Sequence, residues 1–230
     1  MSSSVGFPGL PDRVRQDEGS RWAVPSSSRW EPSHWERQVQ RNPGHSQWYI
    51  QRFETMRRQG ADLDGEARMM DALLGRGSTV LDAGCGPGRV GGALVARGHR
   101  VVGVDIDPVL VSQAREDHPK GEWVTGNLAD LPELLGGQRA GGFEGIVCAG
   151  NVMTFLAPST RGPVLEGFAW ALAPGGRAVV GFGACRGYEF GEFYNDVEAA
   201  GLRVSLALSS WDLHPVGEDA DFLVAVLGQA

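Results

Sequence analysis

The 230-residue chain predicts an α/β fold, a doubly wound and mostly parallel sheet with a hairpin at its end, preceded by a helical segment. Three observations carry this. From Ser78 onward, short apolar runs alternate with stretches of helical periodicity. The first strand-to-helix junction, "DAGCGPG", is a glycine-dense turn. The last two apolar runs follow one another with only a short connection, and parallel strands need long crossovers, so that pair is expected to be antiparallel.

The elements follow in order. Residues 1–30 are rich in Ser, Pro, Gly and Arg without periodicity and are expected to be a disordered arm. Residues 31–76 are expected to be helical. Ser33 is a candidate N-cap for "HWERQVQ". "HSQWYIQRFETMRRQG" places Trp48, Phe53 and Met56 near helical spacing and stops at Gly60. "LDGEARMMDALLG" spaces Ala67, Met70, Leu73 and Leu74 along one helical face. Residues 77–230 then carry the alternation. "STVLDAG", "HRVVGVDID", "GEWVTGN", "FEGIVCAG", "GGRAVVGFGA", "LRVSLALSSW" and "DFLVAVLG" read as strands. "RVGGALVARG", "PVLVSQARED" with Pro108 in its first turn, "STRGPVLEGFAWAL" and "EFYNDVEAAG" read as helices.

Bulk properties narrow the function. A 42% hydrophobic content suits one soluble domain with a sizeable core. No run approaches the roughly 18 apolar residues of a membrane span, and the first residues lack an apolar signal core, so the expected location is the cytoplasm. A net charge of −7 disfavours broad electrostatic binding to nucleic acid. Cys85, Cys148 and Cys185 form no CxxC pair, so no metal site is expected.

The loop "VLDAGCGPGRVGG" follows a strand and opens a helix, as a ligand cradle does. Gly86, Gly88 and Gly91 also satisfy the G-x-G-x-x-G dinucleotide pattern. Asp105, at the end of the next strand, offers a carboxylate to ribose hydroxyls under either reading. Two features favour an amino-acid-bearing ligand over a pyrophosphate. Asp82 stands two residues before Gly84, where a carboxylate repels phosphate and suits an ammonium group. The closing strand pair replaces the helix-linked parallel strands of a dinucleotide fold.

In order and spacing, "VLDAGCGPGRV", "VVGVDIDPVL", "WVTGNLADLP", "FEGIVCAGNV" and "LAPGGRAVV" resemble the successive motifs of class I S-adenosylmethionine-dependent methyltransferases, from about Ser78 to Leu227. The resemblance implies a Rossmann-like, seven-stranded sheet with an antiparallel last strand, and the methyl donor bound at the carboxyl ends of the strands. It implies that 77–230 is the methyltransferase domain and 31–76 a helical lid. It places Gly84, Cys85, Gly86 and Gly88 beside the methionine part, with Asp82 facing its amino group. Asp105 takes the ribose and Ile106 the adenine face. Asn127, where the family often has Asp, accepts from the adenine amine, with Asp130 as an alternative acceptor. The Leu128 N–H meets a ring nitrogen. Ala149 borders the donor end.

"CAGNVMTF" then falls where the family presents the methyl group to its acceptor. Asn151 is a candidate for orienting that acceptor, with Met153 in an apolar wall. His45, Tyr49, Tyr188 and His214 are candidate proton acceptors. Phe53, Arg186 and Trp211 are further candidates on the substrate side, with Arg186 suited to clamp an anionic group. The expected function is methyl transfer to N or O of a small molecule by a monomer or homodimer. The alternatives are an RNA or protein methyltransferase and a non-catalytic protein that binds the cofactor. No Asn-Pro-Pro-Tyr type motif follows the fourth strand, which weakens methylation of nucleic-acid bases.

Overall fold

The computed structural model describes residues 29–217 and 219–230. Up to residue 28, the expected N-terminal arm lies outside the described residues. Three helices come first: α1 (His34–Arg41), α2 (His45–Arg58) and α3 (Gly65–Leu73). Ser33 caps α1 in a reciprocal box. Its Oγ accepts the Glu36 N–H at 3.1 Å, and the Glu36 carboxylate accepts the Ser33 N–H at 2.8 Å.

The alternating part contains β1 (Thr79–Ala83), α4 (Arg89–Ala96), β2 (Arg100–Asp105), α5 (Pro108–Asp117), β3 (Glu122–Thr125), α6 (Leu131–Leu135), β4 (Phe143–Cys148), α7 (Val152–Phe155), α8 (Arg161–Ala171), β5 (Leu172–Gly183), α9 (Phe190–Ala199), β6 (Leu202–Leu208) and β7 (Phe222–Gln229). Periodicity does not predict α6 and α7, because 5 and 4 residues are too few to display a helical repeat.

The strands form one seven-stranded sheet in the order β3-β2-β1-β4-β5-β7-β6. The first five run parallel, and β7 pairs antiparallel with both β5 and β6. This is the expected architecture, with the reversed strand inserted between its two neighbours. The strand runs are almost continuously apolar because both faces are covered. Leu81, Ile146, Val180 and Phe182 face α8 and α9, against Phe168 and Phe193. Val80, Val147, Val179 and Val224 face the other layer, against Met70, Leu94 and Val111.

The parallel strands deliver their carboxyl ends to one edge of the sheet, where a doubly wound fold binds its ligand. No helix among the described residues is long and apolar enough to cross a membrane.

Candidate active site

The loop after β1 begins at Gly84, with φ at +79°. A Cβ on Gly84 would stand 2.3 Å from Val152 Cγ2, so only glycine lets α7 sit this close to the loop. The Gly84 and Cys85 N–H groups donate to Val104 O at 2.8 and 3.1 Å, which ties the loop to β2.

Asp105 ends β2 and is held at both oxygens. Gly86 N–H donates to Oδ2 and Asp107 N–H to Oδ1, each at 2.9 Å. Burial pushes the Asp105 carboxyl up to about 6, against these two hydrogen bonds. The group is thus an oriented acceptor whose burial makes further donors favourable.

A cavity opens over this edge. It joins Gly84, Gly86, Asp105, Ile106, Asn127, Leu128, Ala149 and Tyr49, all predicted from the sequence. Ile106, Leu110 and Leu128 supply apolar surface near the acid. A nucleoside bearing an amino acid fits this chemistry: a carboxylate for ribose, apolar walls for a base, and glycine backbone for the amino-acid end.

Other predicted residues lie elsewhere. Asp82 is 2% exposed beneath the loop, where its Oδ2 accepts the Gly91 N–H at 2.7 Å. Burial pushes its carboxyl up to about 7. It anchors the start of α4 and does not face the cavity. Cys85 is buried, and burial pushes its thiol up. Gly88, also turned from the cavity, packs against Ala114, His118 and Trp123. Met153 is fully buried core. Phe53 stands behind Tyr49, with ring centroids 5.0 Å apart. His45 lies against Trp35 and Trp48.

Tyr188 does not line the cavity. It is fully buried, stacked on Phe182, and its hydroxyl donates to Asp196 at 2.5 Å. Burial and that partner push its pKa well up, so it is a core residue and not a base. His214 is exposed in the β6–β7 connection, where its backbone carbonyl accepts from Ser209 N–H at 2.8 Å. Trp211 covers β5 at Gly181, whose Cβ would lie 2.4 Å from its ring. Asp130 accepts the Trp30 indole N–H at 2.8 Å and is likewise not at the cavity wall. Asn127 lines the cavity, but its Oδ1 already accepts the Ala129 N–H at 3.0 Å. An amide oxygen has a second lone pair, so one more donor can be accommodated.

Asn151 adopts φ of +65° and its Oδ1 accepts the Gly183 N–H at 2.8 Å. It therefore ties the end of β4 to the end of β5. Arg186 is exposed next to it, its Nε 2.9 Å from where a Gly183 Cβ would stand.

Sequence reasoning does not assign Glu31, Leu110, Leu156 and Thr160 to the site, yet all line the cavity. Glu31 Oε1 accepts the Ser159 Oγ–H at 2.8 Å, which holds the segment before α1 against the turn before α8. Asp107 is also missed. It is 5% exposed, and its Oδ2 accepts the Trp35 indole N–H at 2.8 Å and the Ser46 hydroxyl at 2.5 Å. Its place before Pro108 signals only a helix cap.

The chain is similar to known proteins. A family model described as a methyltransferase domain matches residues 80–176. The structure of a TehB-like SAM-dependent methyltransferase from Corynebacterium glutamicum is 46% identical, with a TM-score of 0.77, covering 82% of this chain and 100% of that one. A ribosomal protein L11 methyltransferase of Thiobacillus denitrificans is 38% identical over 44% of this chain and 33% of its own length. A trans-aconitate 2-methyltransferase of Paracidovorax citrulli is 32% identical over 38% of this chain and 42% of its own. The chain thus spans about a third to two fifths of these two curated relatives. The glycine loop, the oriented Asp105, the seven-stranded sheet and the full-length likeness to the Corynebacterium protein agree: the chain belongs to the class I S-adenosylmethionine-dependent methyltransferases, with S-adenosylmethionine as its cofactor.

Proposed function

We propose that the protein methylates an N or O atom of a small molecule held beneath its N-terminal helices. In this reading residues 31–76 are the cover and residues 77–230 the methyltransferase domain. The observation that carries it is the aromatic roof over the donor end of the cavity. Trp35 and Tyr49, from α1 and α2, and Phe155, from α7, all line it. The Trp35 ring meets Tyr49 at 5.2 Å and Phe155 at 5.7 Å, each edge to face. Such aromatic walls suit a small acceptor kept apart from water, and this supports the small-molecule reading.

S-adenosylmethionine supplies an electrophilic methyl group whose leaving sulfur is neutral, so little acid–base assistance is needed. The chain's part is to place the acceptor in line and keep water out. Tyr49 reaches between the glycine loop and the β4 end. Its ring lies 3.8 Å from a Gly86 Cβ position and its hydroxyl 3.8 Å from that of Gly150. Burial raises the Tyr49 pKa, so the phenol stays protonated and serves as a donor that orients the acceptor. Asn151 fixes the turn on which the acceptor would rest. Arg186 has no ion pair among the described residues, and its planar fork suits a carboxylate at the mouth of the site.

The names of the relatives point both ways, one to a ribosomal protein and one to a small acid. The test is incubation with tritiated-methyl S-adenosylmethionine and a desalted cell extract. The expected result is label in the acid-soluble, low-mass fraction. Label confined to precipitated protein or RNA would overturn the proposal.

A further inference from the structure

We infer that Asp107 is a positioning residue that couples docking of the N-terminal helices to occupation of the ribose acid, Asp105. The inference rests on the reading of those helices as a cover.

The geometry is a chain of contacts that runs from the cover to the ligand. Ser46 on α2 and Trp35 on α1 both donate to Asp107 Oδ2, at 2.5 and 2.8 Å. Asp107 Oδ1 accepts the Val109 N–H at 2.8 Å and caps α5. The Asp107 N–H donates to Asp105 Oδ1 at 2.9 Å. Asp105 lines the cavity and Trp35 stands in its wall, whereas Ser46 does not touch it. Asp107 is 5% exposed and Ser46 2% exposed, so neither group has bulk water as an alternative partner while the helices are docked.

The energetic consequence is reciprocal. When α1 and α2 lift, Oδ2 loses two donors, and the carboxylate must find others or repel its neighbour Asp105. When they dock, Oδ2 is satisfied and the backbone that aims Asp105 is held. Whatever factor docking adds to ligand affinity, the ligand adds to docking. Ser46 is the useful handle. Ser46 makes no contact with the cavity, so its effect on ligand affinity is indirect, and Asp107→Asn separates the route through Asp107 from one through Tyr49 on the same helix.

The experiment uses the full chain and S-adenosylhomocysteine. Calorimetry measures its Kd, and amide hydrogen exchange follows residues 34–58 with and without it. In the wild type, the ligand should slow exchange across α1 and α2. Ser46→Ala should weaken binding on the order of tenfold, the scale of one hydrogen bond to a charged group, and should reduce the slowing by the same factor. Ser46→Thr, which keeps the hydroxyl, should restore both. Asp107→Asn keeps an α5 cap but turns an NH2 toward two donors, so it should show the same loss. If Ser46→Ala proves unstable, that variant carries the test alone. Wild-type slowing with unchanged affinity and exchange in these variants would overturn the coupling and spare the cover. No slowing in the wild type would overturn the cover itself, and the coupling with it.

Discussion

Asn151 Oδ1 accepts the Gly183 N–H at 2.8 Å, joining the carboxyl ends of β4 and β5 beside the proposed acceptor site. Asn151 also tolerates its φ of +65°, a region open chiefly to Asn and Gly. Asn151→Gly keeps the conformation and removes the bond. It should bind S-adenosylhomocysteine like the wild type but turn over about 10- to 100-fold more slowly, because a small misplacement of the reacting atoms is costly. Wild-type turnover in this variant would show that the tie does not position the acceptor.

Asp82 should make the apoprotein less stable as pH rises. Its pKa is raised by burial from 3.8 to about 7. An acid with a raised folded-state pKa favours the folded state at low pH, and that contribution is lost between about 4 and 7. Asp105 adds a slope of the same sign up to about 6. Thermal denaturation should show Asp82→Asn with a flatter decline from pH 5 to 7.5 than the wild type. An identical slope in the two proteins would mean that Asp82 is ionised throughout.

Asn127 serves two ends at once, capping the turn at Ala129 and facing the cavity. Asp caps as well as Asn and adds charge to the hydrogen bond, so Asn127→Asp should hold or improve cofactor affinity. Asn127→Leu should weaken it by about 1–2 kcal/mol, losing cap and acceptor together. Unchanged calorimetric affinity in both variants would place recognition of the adenine amine elsewhere.

Arg186 offers a test of acceptor chemistry. With an acceptor in hand, Arg186→Ala should raise its KM about tenfold or more while leaving cofactor affinity as it is. Steady-state kinetics at saturating cofactor would show this, and an unchanged KM would rule out the clamp.

The sheet was legible because its strands are buried on both faces and read as apolar runs such as "VVGV" and "GIVC". The cavity wall was legible where backbone geometry demands a residue type, as at Gly84, or where an acid closes a strand, as Asp105 closes β2. Side chains in the loops beyond were not, since sequence puts them at the right edge without saying which way they turn. Tyr188 turns behind the sheet because Phe182 and the Arg161 guanidinium, 4.0 Å from its ring, enclose it. Trp211 fills the space above Gly181. Asp107 escaped because its partners stand 61 and 72 positions earlier in the chain, where no local pattern connects them.

The central claim is that the Gly84–Asp105 edge binds S-adenosylmethionine through an ionised Asp105. Calorimetric titration of S-adenosylhomocysteine across pH 5 to 8 tests it most directly. The wild type should bind at micromolar Kd, roughly −8 kcal/mol. Affinity should rise with pH and level off above about 6, with a proton released below it, because only the carboxylate accepts two ribose hydroxyls. Asp105→Asn should flatten that profile, and Asp105→Ala should cost about 1–3 kcal/mol at pH 8. Tight binding of NAD with no heat from S-adenosylhomocysteine, or an Asp105→Ala variant that binds like the wild type, would contradict the account.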